Sequence, residues 1–247
     1  MIAKSHPRYV SLTAREKAVE GVKNGITSLA GLAAHGRGEA FDYLTGEKTT
    51  KSAKKSIEAA AASLLLAKYP VISVNGNTAA LVPKEIVQLA KLIPAKLEVN
   101  IFHPSKKREI KIKIHLLKNG AKAVLMPQKN TKVKFISSNR KYVNPDGILK
   151  ADVVFVPLED GDRTEALVKN KKKVIVVDLN PLSRSARKAT ITIVDNIIRA
   201  VPLLIKTINQ YKKSNRIWLQ KTIRGYNNKK MLENALKEIN KNLSKDK

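Results

Sequence analysis

The 247 residues include no cysteine, which excludes disulfides, thiolate metal centres, iron–sulfur clusters and cysteine nucleophiles together and fits a reducing compartment. Aromatic residues are only 4% of the chain and form no RRM-like motif, so the stacking surfaces of single-strand nucleic-acid binders have little to be built from. The longest strongly apolar run, residues 59–67 broken by Ser63, falls far short of the roughly 20 residues that span a bilayer. Residues 1–7 carry no apolar leader core, so the cytoplasm is the expected compartment and no membrane partner is expected. Acid is scarce too: 20 Asp and Glu face 48 Lys and Arg, a formal charge of +28. That balance points to an anionic partner or a heavily solvated surface. With 43% hydrophobic residues the chain is no disordered polycation and can bury one sizeable core.

Short β-branched runs alternate with helical stretches. Strands are expected at 71–74, 97–102, 152–156, 174–177 and 190–194, with a weaker one at 123–126. Helices are expected at 83–93, 105–118, 163–169 and 196–211, although Ile110, Ile112 and Ile114 also alternate with the period of a strand. Two helices, 11–23 and 50–68, precede the first strand. The alternation predicts an α/β fold, a Rossmann-like open and mostly parallel sheet with helices on both faces. Residues 1–211 form its domain, with an N-terminal helical segment, and residues 212–247 form a basic, helical C-terminal extension.

In such sheets ligands bind beyond the carboxyl ends of the strands. After the first run stand Asn75, Gly76, Asn77 and Thr78, which read either as an anion-binding turn or as a plain Asn-Gly turn. After the fourth come Glu159, Asp160, Gly161, Asp162 and Arg163, three acids in a basic chain that could hold magnesium, orient an amine or cap the next helix. The fifth is followed by Asp178, Leu179, Asn180, Arg184, Ser185 and Arg187, which read either as an acid for ribose hydroxyls with two Arg for phosphates or as a solvated loop. Upstream, Arg37 stands between Gly36 and Gly38, a pattern that permits close backbone approach and aims a guanidinium at phosphate, or is simply a flexible loop. The chain has no P-loop, no dinucleotide fingerprint and no nucleophile elbow. His6, His35, His103 and His115 lack metal-ligand spacing, and only His6 and His35 stay as candidate ligand contacts.

Taken in order, His35-Gly36-Arg37-Gly38-Glu39-Ala40-Phe41-Asp42-Tyr43-Leu44, the run from Val74 to Pro83, the run from Pro157 to Leu167, and Asp178 to Arg184 resemble the archaeal phosphopantothenate synthetase family, the 4-phosphopantoate–β-alanine ligases. The resemblance covers about residues 5–204 and weakens over 129–142 and beyond 212. It implies a homodimeric, Rossmann-like enzyme of coenzyme A biosynthesis that joins 4-phosphopantoate to β-alanine with ATP, through an acyl-adenylate, and releases AMP and pyrophosphate. Matched motif by motif, it implies ATP contacts at Arg15, Arg37, Asp178, Leu179, Asn180, Arg184, Ser185, Asn196 and Ile197. Substrate contacts are expected at Asn75, Gly76, Asn77, Thr78, Glu159, Asp160, Asp162 and Arg163. Arg37, Asn77 and Asp162 are the expected catalytic residues: Arg37 neutralises phosphate repulsion, Asn77 grips phosphopantoate, and Asp162 orients the β-alanine ammonium or Mg²⁺. No metal ligand can be named from the sequence.

Two other classes compete. The net charge favours a nucleic-acid binder, with contact through 212–247, but the distinctive loops combine Asp, Asn, Gly and Arg rather than Lys and aromatics. An oxidoreductase on the same fold would need the missing dinucleotide fingerprint.

Overall fold

The computed structural model describes residues 2–6, 8–103 and 105–244. Three helices come first: α1 (Tyr9–Lys23), α2 (Leu29–Leu44) and α3 (Lys51–Leu66). Ser28 and Thr50 cap the last two, their hydroxyls accepting from the amides of Gly31 (3.1 Å) and Ala53 (3.2 Å). β1 (Pro70–Val74), α4 (Gly76–Leu81), α5 (Pro83–Leu92), β2 (Lys96–Val99) and α6 (Lys106–Lys118) follow. Next come a small hairpin, β3 (Gln128–Lys132) with β4 (Tyr142–Val143), and then β5 (Val153–Pro157), α7 (Gly161–Lys169), β6 (Lys173–Val177), α8 (Arg184–Lys188), β7 (Ile191–Ile193) and α9 (Ile197–Tyr211). The chain closes with α10 (Arg216–Arg224) and α11 (Asn228–Leu243). No helix among the described residues is long and apolar enough to cross a membrane.

The five main strands are all parallel, in the order β2-β1-β5-β6-β7, so the expected open α/β sheet is present. Strand pleat sorts its side chains into two cores. Ile72, Val74, Phe155, Ile175 and Val177 face α3, α5 and α9, and the Ala59–Ala61 segment of α3 supplies small side chains to the same cluster. Val71, Val154, Val156, Val174 and Val176 point the other way, onto Leu167 of α7 and onto Val133 and Val143 of the hairpin segment. The chain moves outward from β1 to β2, then returns to the far side of β1 to lay down β5. The order therefore reverses between β1 and β5, and the crevice at their carboxyl ends is where such sheets bind ligands.

Two local expectations meet different outcomes. Residues 106–118 are helical: Ile112 and Leu116, four apart, are buried while Ile110 and Ile114 face solvent, and Ser105 caps the first turn. Residues 123–126 form no strand. The chain runs beside β2 for only two backbone bonds, Leu125 N to Leu97 O and Val99 N to Leu125 O, before Pro127, which has no N–H to extend the ladder. In the C-terminal segment, Leu232 and Ala235 of α11 share a buried cluster with Ala186 and Val194.

Candidate active site

At the reversal point the chain ends are joined by amides. The Asn75 Oδ1 accepts from Thr78 N at 3.0 Å and so caps α4, while its Nδ2 donates to the carbonyls of Pro157 and Leu158, each at 3.0 Å. Asn77 Nδ2 donates to Gly31 O at 2.8 Å, and its Oδ1 takes the Thr27 hydroxyl. Thr78 is fully buried, its hydroxyl directed to Pro157 O. A Cβ on Gly76 would sit 2.7 Å from the Ile26 carbonyl oxygen and 2.9 Å from Thr27 Cα, so only glycine lets α4 approach that backbone. These four residues thus build the crevice, and the polar atoms of both asparagines are already used within the protein.

The floor is ionic. After β5, Leu158 takes a positive φ of 57° and turns the chain so that Glu159 points inward. The Glu159 carboxylate is held by both Nη atoms of Arg140 and by Arg163 Nη1, and Arg163, fully buried, also donates to the Ser73 hydroxyl at 3.0 Å. Asp160 accepts from Arg140 at 2.6 Å and from Arg163 N at 2.9 Å, capping α7. Burial raises the Asp160 carboxyl, but the Arg140 guanidinium and the Arg163 amide outweigh it and hold the group below its ordinary value. Asp162 is exposed and pairs with Arg184, which also reaches Glu165.

Two lobes meet over this floor, of about 410 and 340 Å³. Leu158, Glu159, Asp160, Asn77, Ala34 and Arg37 line both. The lobe beyond β6 contains Asp178, Leu179, Asn180, Ser183, Arg184 and Ser185. Its turn is internally braced: Asp178 accepts from Ser183 Oγ (2.5 Å) and Asn180 N (2.9 Å), and Ser185 Oγ donates to Glu159 O at 2.6 Å. Burial pushes the Asp178 carboxyl up, opposed by Ser183, the Asn180 amide and the charge of Arg37. The other lobe adds Thr27, Ser28, Phe102, His103, Arg108 and Arg140. Arg37, exposed, lines both lobes at the seam and has no hydrogen-bond partner among the described residues.

The glycines around Arg37 lie inside α2 rather than in a phosphate loop; open space surrounds a Cβ at Gly36, and one at Gly38 would touch only Leu179. His35, in the same helix, is pushed below its usual pKa by burial, against the pull of Glu39 and Asp42, and its Nε2 is buried without a partner among the described residues. His6 stays outside the cleft, its Nδ1 accepting from Arg8 N. Arg15 lines a separate groove on α1 and pairs with Glu39 at 3.3 Å. Asn196 and Ile197 are buried at the start of α9, Asn196 donating to Asp42 at 2.8 Å, and line neither lobe. Asp162 lines a neighbouring hollow with Phe135, Ser138 and Arg184. No group of three His, Asp or Glu among the described residues could hold a metal ion. The three acids after β5 do not fit magnesium, since each is committed to arginine.

Arg108, His103 and Arg140 escape a motif-based reading. The first two follow β2, where the rule of strand ends applies, but the basic run around them reads as mere composition. Arg140 lies among lysines in the stretch where family resemblance is weakest, and nothing local marks it as the one that turns inward.

The family described as phosphopantothenate/pantothenate synthetase matches residues 52–242. A protein of Thermococcus kodakarensis named 4-phosphopantoate–β-alanine ligase is 52% identical over 245 residues, 99% of this chain and 94% of its own. A protein of the same name from Thermococcus onnurineus is likewise 52% identical with the same coverage, 99% and 94%. A third, from Methanosarcina mazei, is 50% identical over 242 residues, 98% of this chain and 95% of its own.

Proposed function

The chain belongs to the phosphopantothenate/pantothenate synthetase family, and from that premise we propose that it is a ligase joining 4-phosphopantoate to β-alanine with ATP, in coenzyme A biosynthesis. The products are 4′-phosphopantothenate, AMP and pyrophosphate. The observation that carries the reading is the two-lobed cleft with an unpartnered arginine at its seam. A reaction between two phosphorylated anions needs them end to end, with a cation where their charges meet. Arg37 occupies that position.

In this reading the nucleotide fills the lobe of Asp178, Leu179, Asn180, Arg184 and Ser185, and the acid substrate fills the lobe of Arg108 and His103. A carboxylate oxygen of phosphopantoate attacks the α-phosphorus of ATP; that P–O bond forms, the bond to the β-phosphate breaks, and pyrophosphate leaves. The amine of β-alanine then attacks the activated carbonyl carbon, the C–N bond forms, the acyl–AMP bond breaks, and the amine proton passes to water or a nearby base. Arg37 offsets charge on both reacting anions, while Arg140 and Arg163 cancel the acids beneath them so that the floor does not repel substrate. Asn75, Gly76, Asn77 and Thr78 act by fixing the crevice width. Magnesium enters as part of the MgATP substrate.

Polyanion contact by residues 212–247 is a side property of charge in this reading, and the enzyme works in the cytoplasm as a homodimer. Val10, Leu29 and Tyr43, exposed on α1 and α2, support a second copy against that face; a monomer mass at every concentration in sedimentation equilibrium would remove this part. The decisive assay is AMP release with MgATP, 4-phosphopantoate and β-alanine, omitting each in turn. AMP is expected only from the complete mixture. With ¹⁸O in the phosphopantoate carboxylate, the label is expected in AMP, and its absence there would exclude the adenylate.

A further inference from the structure

The lobe below β2 contains a cation that the rest of the protein leaves partly unsatisfied. Arg108 stands in the first turn of α6, where Ser105 caps its amide, and its Nη2 donates to the carbonyl of His103 at 2.9 Å. That bond fixes the plane of the guanidinium. Its Nε is buried with no hydrogen-bond partner among the described residues, so there a donor has been taken out of water without compensation. Burial lowers its pKa, with neighbouring Glu109 opposing. The other polar groups of the lobe are occupied: Asn75 and Asn77 by backbone and Thr27, and Arg140 by Glu159, Asp160 and Asn100. Arg108, the imidazole of His103 and Arg37 therefore hold the cationic and imidazole donors left for a ligand, beside the Ser28 hydroxyl, which among the described residues only accepts, from Gly31 N.

Chemistry orders the three. Arg37 lies at the seam shared with the nucleotide lobe, whereas His103 and Arg108 line only the outer lobe. In 4-phosphopantoate the reacting carboxylate and the phosphoryl group are at opposite ends of the molecule. With the carboxylate at the seam, the phosphoryl group lies in the outer lobe. We infer that Arg108, braced by His103, binds the 4-phosphoryl group and is the residue by which the enzyme distinguishes 4-phosphopantoate from pantoate. A planar fork held in place suits a phosphate, and a charge-assisted bond of this kind is lost entirely with the unphosphorylated acid. The inference rests on the ligase reading given above.

The test separates the two. Calorimetry measures the affinity of 4-phosphopantoate and of pantoate for the wild type, for Arg108→Gln and for Arg108→Lys, with AMP release measured on the same preparations. Lys118→Gln, at the exposed far end of α6, controls for the loss of one charge. Arg108→Gln is expected to weaken 4-phosphopantoate binding about 30- to 100-fold, leave pantoate binding and the KM for ATP unchanged, and so abolish the preference for the phosphorylated acid. Arg108→Lys falls between, and Lys118→Gln behaves as wild type. An undiminished 4-phosphopantoate affinity in Arg108→Gln, or an equal loss for both acids, overturns the inference while product formation keeps the ligase reading standing. A wild type that binds 4-phosphopantoate through Arg108 but releases no AMP does the reverse, and a wild type that binds neither acid overturns the inference.

Discussion

Buried ionisable side chains in this protein divide into those with an opposite charge in direct contact and those without. Glu98, on β2, is fully buried and among the described residues accepts only from backbone amides, Asn144 N at 2.9 Å and Ile148 N at 2.6 Å. Burial pushes its carboxyl up to about 7, despite those two amides and the charges of Arg163 and Lys172. The unfolded chain releases this proton near 4.5, so the folded chain binds more protons between the two values. Its contribution to stability is whole below pH 4.5, declines as pH rises through the window, and is gone above about 7. The loss amounts to about 3 kcal/mol at roughly 1.4 kcal/mol per unit. Urea midpoints at pH 5 and pH 8 should show that slope in the wild type and not in Glu98→Gln; equal slopes would locate the dependence elsewhere. Glu159 is the contrasting case, since its charge is shared by Arg140 and Arg163. Arg163→Met leaves part of that charge buried and unmatched and is expected to cost about 3–5 kcal/mol. Adding Glu159→Leu should recover part of it, and strictly additive losses in a double-mutant cycle would show the pair to be uncoupled.

Element by element, what could be read from the sequence was what local rules determine. Five of the expected strands depend on neighbours in the chain, and they are present. The stretch at 123–126 failed because pairing is a property of two segments, and Pro127 limits the second. The site divides the same way. The loop after β6 is legible from its Asp, Asn, Arg and Ser, whereas the use of Asn75 and Asn77 as cross-links depends on carbonyls of Pro157, Leu158 and Gly31 that no local pattern shows. Residues 212–247 make the point most fully, since their sparse apolar residues read as an extension. Yet Asn228 Oδ1 accepts from Thr192 N at 2.8 Å on the edge strand β7, and Glu238 accepts from the free first-turn amides of Lys51 and Ser52 on α3. We therefore expect a chain ended after Tyr211 to lose on the order of 5 kcal/mol or more, given the apolar side chains it would uncover. A thermal melt of residues 1–211 matching the full chain would show the segment to be an independent attachment.

On the scale of the whole molecule, a charge of +28 surrounds a cleft meant for anions. Such a field speeds encounter more than it strengthens the bound state, so kcat/KM for 4-phosphopantoate should fall several-fold as salt rises to about 0.5 M while kcat stays level. A salt-independent kcat/KM would mean that the surface lysines are solvating groups alone. Any RNA binding this field produces at low salt is expected to weaken steeply as salt rises, without affecting AMP release. Against this diffuse attraction stands one stiff feature. Asn75 stitches the ends of β1 and β5, and Arg140 reaches from the β3–β4 segment to fasten Glu159 and Asp160 on the same line. In mechanical language the crevice is a vice with both jaws pinned, since the helix that carries Arg37 is held at one end by Asn77 on Gly31 O and at the other by Asn196 on Asp42, so three substrates must enter and three products leave a gap of nearly set width.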